Sequence, residues 1–203
     1  MSLPLFRKSI VSAGLALAVL AAPAAAQFSD SHEFLEAVRK REGDKVTQVI
    51  SQPGNTLINT RDLSSGDTAL HIVAERGDTA WIRFLLQRGA NPNIANKKGL
   101  TPIMIAAALG NVDGVEALIK SGARVDDQDS LGETPLISAT HRRDVEMVKL
   151  LLEKGADPER SDNSGRSARD YVAAMGNKRL ADEFAAADAK RAAKTGPSYG
   201  PGL

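Results

Sequence analysis

The sequence predicts an all-α fold, a solenoid built from helix-turn-helix units that recur every 33 residues. Three observations carry that reading. Gly66, Gly99, Gly132 and Gly165 stand one such step apart, as do Gly89, Gly122 and Gly155. The same step relates Thr68, Thr101, Thr134 and Ser167, then Leu85, Leu118, Leu151 and Phe184, then Ala74, Ala107, Thr140 and Ala173. Second, aromatics make up only 4% of the chain, which suits small helices packed closely and gives a sheet too little bulk. Third, helix punctuation falls at fixed places within each step.

The chain opens on a segment of different character. Arg7 and Lys8 precede an apolar run from Ile10 to Leu20, and Ala21 to Ala26 follow with one proline, Pro23. A basic start, a short apolar stretch and small residues at Ala24 and Ala26 form the layout of a secretory signal peptide over residues 1–26, cut before Gln27. The run is short for a membrane span of about 20 apolar residues. The chain has no cysteine, which rules out a lipoprotein anchor, disulfides, thiol catalysis and cysteine-based metal sites. Cleavage would leave 24 basic residues against 25 acidic ones, a net charge of −1 with no long run of one sign. Such a chain lacks the electrostatic footprint of a nucleic-acid binder.

The units are expected at about 30–62, 63–95, 96–128, 129–161 and 162–188. In the first, Phe34, Leu35, Ala37 and Val38 begin one helix and Val46, Val49 and Ile50 a second. Val46 lies 36 residues before Ile82, so this unit carries about three extra residues, expected around residues 52–55. In the next three, Thr68, Thr101 and Thr134 can cap a first helix by accepting a bond from its free amides. Pro102 and Pro135 follow at the first helical position, where a missing amide hydrogen costs nothing. Gly77, Gly110 and Gly176 suit a left-handed turn at that helix's end, and Arg143 occupies the same column. A second helix repeats an apolar pattern: Ile82, Leu85 and Leu86; Val115, Leu118 and Ile119; Val148, Leu151 and Leu152. One column of it reads Trp81, Gly114, Met147 and Leu180, so Gly114 is expected to make room for the indole. In the last unit Arg169 and Asp170 replace Leu136 and Ile137, as suits a cap that faces water. Residues 189–203 are rich in alanine, glycine and proline and are expected to form a disordered tail.

These residues resemble the ankyrin repeat. Gly66-Asp67-Thr68-Ala69-Leu70-His71 and Gly132-Glu133-Thr134-Pro135-Leu136 are similar to its opening motif, and Gly89-Ala90-Asn91-Pro92-Asn93 and Gly155-Ala156-Asp157 to its closing one. The resemblance covers roughly residues 30–188 and implies about five repeats, caps included, of paired antiparallel helices with β-turn fingers between them. It also implies a structural hydrogen-bonding role for His71 between neighbouring units, and a concave binding face made by finger tips and first-helix ends.

Catalytic and metal chemistry find no support in the residues. His32 precedes the repeats, and His141 lies at a helix end; neither has a partner at the spacing of a zinc site, and no nucleophile elbow occurs. Asp127, Asp129 and Gly132 begin like a calcium loop, but Leu131 and Ser138 stand where it needs oxygen donors and glutamate. There is no glycine-rich phosphate loop. The sequence therefore reads as a non-enzymatic protein-binding module without cofactor or metal, monomeric, acting in the periplasm or outside the cell, and free of membrane once cleaved. An inhibitor or immunity protein for a secreted enzyme is the alternative, an envelope enzyme a weaker one. Carried over by position, the binding residues are Arg76, Lys97, Lys98, Leu100, Leu109, Leu131, Glu133, His141 and Arg142, with the three leucines as the expected apolar centre.

Overall fold

The computed structural model describes residues 22–52 and 56–194. It consists of ten α-helices: α1 (Ala22–Arg39), α2 (Gly43–Ile50), α3 (Ala69–Glu75), α4 (Thr79–Gln87), α5 (Pro102–Ala108), α6 (Val112–Lys120), α7 (Pro135–His141), α8 (Val145–Glu153), α9 (Ala168–Met175) and α10 (Lys178–Lys194). Among the described residues there is no β-strand, only one antiparallel bridge between Ser161 and Ser167. None of the described helices is long and apolar enough to cross a membrane. The proposed cleavage point lies inside α1, whose later part buries Phe34, Leu35, Ala37 and Val38; most of the leader lies outside the described residues.

Odd- and even-numbered helices form two layers. α3, α5, α7 and α9 pack in sequence as the inner row, and α4, α6, α8 and α10 as the outer row. Small and branched residues at helical spacing make the seam: Val73 and Ala74, Ile103, Ala106 and Ala107, Leu136 and Ala139 are all fully buried. Opposite them Ile82 and Leu85, Val115 and Leu118, Val148 and Leu151, then Leu180 and Phe184 fill the outer row. Each such leucine or isoleucine contributes about 2 kcal/mol on leaving water, so the stack is held by a repeated apolar seam rather than by one central core.

The outer helices start on one device. Asp78, Asn111 and Asp144 each accept a bond from the third amide of the helix that follows, at 3.2, 2.9 and 3.1 Å. The inner helices vary. Thr134 accepts from the Ile137 amide at 3.2 Å as expected, and Ser167 from Asp170. Thr68 bonds the His71 ring instead, and the Thr101 hydroxyl is buried without a partner. His71 performs the expected joining role. Its Nδ1 accepts from the Thr68 amide at 3.1 Å, and its Nε2 donates to the Leu100 carbonyl of the next unit at 2.9 Å. Burial pushes this imidazole below its ordinary range, so it is held neutral.

The turn column is left-handed throughout. Gly77, Gly110 and Gly176 have φ of 67°, 71° and 59°, and Arg143 joins them at 56°. Arg41 does the same for the first unit at 61°, a position hidden from the 33-residue step by that unit's insertions.

Three expectations are corrected. The extra residues of the first unit are split. Asn59 accepts from the Asn91 amide as Asn93 does from Arg124, a step of 34, so two lie between α2 and Asn59 and one in the first finger. Gly114 does not house the indole: the atoms nearest to a Cβ there, from 2.5 Å, belong to Asn111, which leans over it while accepting from Thr79. Trp81 turns the other way, 4.0 Å from the Cβ position of Gly43 and under Arg76, with Phe84 beside it. Disorder does not begin at residue 189, because α10 runs to Lys194. Lys190 pairs with Glu153 at 2.8 Å and Arg191 donates to the Ala156 carbonyl, tying the added turn to α8 and its following loop. Residues 195–203 lie outside the described residues.

The last unit closes as its charges imply. Arg169 lies over the Phe184 ring, 5.6 Å from its centre, and is held there by Glu159 and by Asp188 at 2.9 Å. Its guanidinium thus packs over the ring while its ion pairs remain at the surface.

Candidate functional site

Four fingers precede the inner helices, and each is folded by one side chain. Asn96 accepts from the amides of Lys98 and Leu100 at 2.9 and 3.1 Å, Asp129 from Leu131 and Glu133, and Asp162 from Ser164 and Arg166. In the first finger Asp62 accepts from Ser64 and Ser65 across a turn one residue longer. Bonds from Ser64, Arg39 and these amides hold the Asp62 carboxyl well below the usual carboxylate range; Tyr171 and Ser164 do the same for Asp162. The tips are joined into a ridge. The Lys97 amide donates to the Ser65 carbonyl at 2.9 Å, and the Asn163 amide to that of Leu131 at 3.0 Å. Gly99 and Ser130 approach so closely that a Cβ would sit 3.1 Å from the Ser130 nitrogen.

The predicted binding residues divide between these tips and the inner-helix ends. Lys97, Lys98 and Leu131 are exposed tip residues, Leu131 at 65%; Leu109 ends α5 and is 52% exposed; Arg142 is exposed at the end of α7 and reaches back towards Gly110. Glu133 and His141 meet at 3.3 Å, and the His141 ring stands edge-on to Tyr171 with centres 4.3 Å apart. Tyr171 was not singled out in the sequence; its hydroxyl donates to Asp162 at 2.6 Å and completes a polar chain across the last two units.

Two assignments change. Arg76 is spent on the fold: its Nη1 donates to the carbonyls of Val38 and Arg39, at 3.0 and 3.4 Å, and its guanidinium lies 3.3 Å from Asp78. The last carbonyls of α1 need donors, and Arg76 supplies them. Leu100 is half-buried against the core, leaving its carbonyl to receive His71, so it is no exposed anchor. The three leucines also do not form one centre. Leu131 sits on a finger and Leu109 at the far end of an inner helix, so a seven-residue helix, about 10 Å long, separates the two levels. Among the described residues the most exposed large apolar one is Leu63 at 74%, which the sequence reading passed over. The discrepancy between steps of 33 and 34 was the available signal, since Leu63 falls in the lengthened finger.

Two family models match the chain. One, described as ankyrin repeats (3 copies), covers residues 34–129; the other, ankyrin repeats (many copies), covers residues 118–172. Among curated proteins the chain is similar to regulatory protein SWI6 of Kluyveromyces lactis, 53% identical over 47 residues, which are 23% of this chain and 6% of that one. It is similar to transcription factor MBP1 of Saccharomyces cerevisiae, 49% identical over 45 residues (22% and 5%). It also resembles oxysterol-binding protein homolog 1 of the same yeast, 34% identical over 76 residues (36% and 6%). The matched stretches thus span about a twentieth of each relative's length.

Proposed function

This chain belongs to the ankyrin-repeat family, and from that premise we propose that it is a non-catalytic module holding a partner protein against its concave face outside the cytoplasm. The observation that carries this reading is a set of side chains with no duty in the fold. Leu109 and Leu131 stand open to solvent, and Lys98 and Arg142 are exposed and enter no ion pair among the described residues. Exposed apolar residues flanked by free cations cost solubility and serve recognition. The protein acts as a monomer, its last unit closed by Arg169. The test is capture of the partner from envelope extract by the full mature chain. Truncating an anchor commonly costs about 2 kcal/mol of binding, so Leu109→Ala should weaken capture while Lys149→Ala on the outer row does not. Equal capture by both variants would move the site off the concave face.

Export rests on the Arg7-Lys8 start, the apolar run and Ala24-x-Ala26. N-terminal sequencing of protein from the envelope fraction should begin at Gln27. Intact Met1 on soluble cytoplasmic protein would refute it.

A further inference from the structure

Among the described residues the two most exposed large apolar ones, Leu63 at 74% and Leu131 at 65%, are both finger tips, two units apart. The tips between them are Lys97 and Lys98. The row is continuous: Lys97 bonds Ser65 through its amide and the Leu63 carbonyl through Nζ at 2.6 Å, and the next finger follows at the Gly99–Ser130 contact. Of the acidic groups in the same fingers, Asp62 is paired with Arg39 at 2.8 Å, while Asp67 and Asp129 keep their charge and hold it on neutral amide donors. Beside Leu63 lies a hollow between α1 and the first finger, lined by His32, Leu35 and Thr60.

We propose that this ridge reads an extended acidic segment of the partner, with apolar residues six positions apart seated at Leu63 and Leu131 and carboxylates between them on Lys97 and Lys98. The inference rests on the concave-face reading above and specifies its ligand. Packed helices lie 8–10 Å apart, so two unit steps place the leucines about 16–20 Å from each other. An extended chain advances about 3.3 Å per residue and alternates sides, which puts positions i and i+6 on one side about 20 Å apart. Positions i+2 and i+4 then fall on that same side, over the lysines. A helical segment would need its anchors eleven or more residues apart to span the same distance.

The probe is a fluorescein-labelled peptide of the pattern leucine-serine-glutamate-serine-glutamate-serine-leucine, titrated with the full chain and followed by anisotropy. Two companions replace its glutamates by lysine or bring its leucines four positions apart. The acidic peptide should bind at least about tenfold more tightly than either, and more weakly as salt rises from about 50 to about 200 mM. Leu63→Ser and Leu131→Ser should each weaken it about tenfold or more, and Lys97→Glu with Lys98→Glu should abolish it. All four side chains are exposed, so thermal melts of the leucine variants should match the parent protein, and the double lysine variant should lose no more than its one bond to the Leu63 carbonyl. Equal binding of the lysine peptide, or no saturation by about 1 mM, overturns the proposal. Loss with Leu109→Ala but not with the finger variants removes the ridge and leaves the concave face standing. Loss only with Lys149→Glu on the outer row removes both.

Discussion

Arg143 and Arg41 hold left-handed backbone, with φ of 56° and 61°, where three other turns use glycine. A side chain there costs on the order of 1 kcal/mol. Arg143→Gly and Arg41→Gly should each raise the melting temperature by about 2–4 °C. Asn111 offers a second gain: its Nδ2 is buried without a partner while its Oδ1 serves Gly114 and Thr79. Asn111→Asp, matching Asp78 and Asp144, removes that donor and places a carboxylate at a helix N-terminus, for about 1 kcal/mol in chemical unfolding. His71 sets an acid limit. Its folded pKa lies below the unfolded value of about 6.5, so its contribution is complete above that pH and declines below it, as the unfolded chain takes up a proton the native state refuses. The loss approaches about 1.4 kcal/mol per pH unit, and unfolding between pH 7.5 and 5.5 should show a shallower slope in His71→Gln. The Arg143 strain was legible as a glycine column with one intruder. The Arg41 strain was not, because insertions shift its column by three residues.

Between elements, the joint made by His71 occurs once: Met104 and Ile137 stand in its column. At the second joint the Thr101 hydroxyl is therefore orphaned, and the Glu133 carbonyl receives only the Asp129 amide. Met104→His should bridge both groups, stabilising by about 1 kcal/mol at neutral pH and adding a second acid-sensitive site. A melt at pH 7.5 and another at pH 5.5 check both halves of that expectation. The helices and their order could be read from capping threonines and apolar spacing alone. The course of Trp81 could not, since a column of equivalent positions says which residues are neighbours and not which way each side chain turns. The end of α10 escaped for a similar reason. Alanine favours helix, but a short terminal extension is marginal by itself until a partner such as Glu153 fixes it.

At the scale of the molecule, each unit touches only its neighbours, so stability is a sum of unit and interface contributions and the ends are its weakest parts. Removing the clamp over Phe184 by Arg169→Ala should cost about 0.5–1 kcal/mol. The loss should appear as faster hydrogen exchange in α9 and α10 while α5 and α6 stay protected. Uniform loss of protection would mean that the stack unfolds as one block. The proposed binding face was legible only in outline. Position in the repeat pointed to Lys97, Lys98, Leu131 and Leu109, which the structure leaves exposed, and also to Arg76, which it ties to the end of α1, because a column cannot show what the preceding helix needs at its end. Leu63 was missed because an insertion has no counterpart in any column.

The bonds from Arg76 to the carbonyls of Val38 and Arg39 bear on assembly as well as stability. Stacked units of similar shape can dock onto the wrong neighbour while the chain is still folding, and such misjoined arrays are a characteristic hazard of repeat proteins. The residues that follow Arg76 in its column are Leu109, Arg142 and Met175, and two of these have no donor to give. An array that skipped a unit and seated α1 against α5 would leave the Arg39 carbonyl without this donor, the Val38 carbonyl with the Arg41 amide alone, and Trp81 without Gly43. The irregular first unit thus penalises a shifted start to the stack, because only Arg76 in the adjoining unit matches the end of α1.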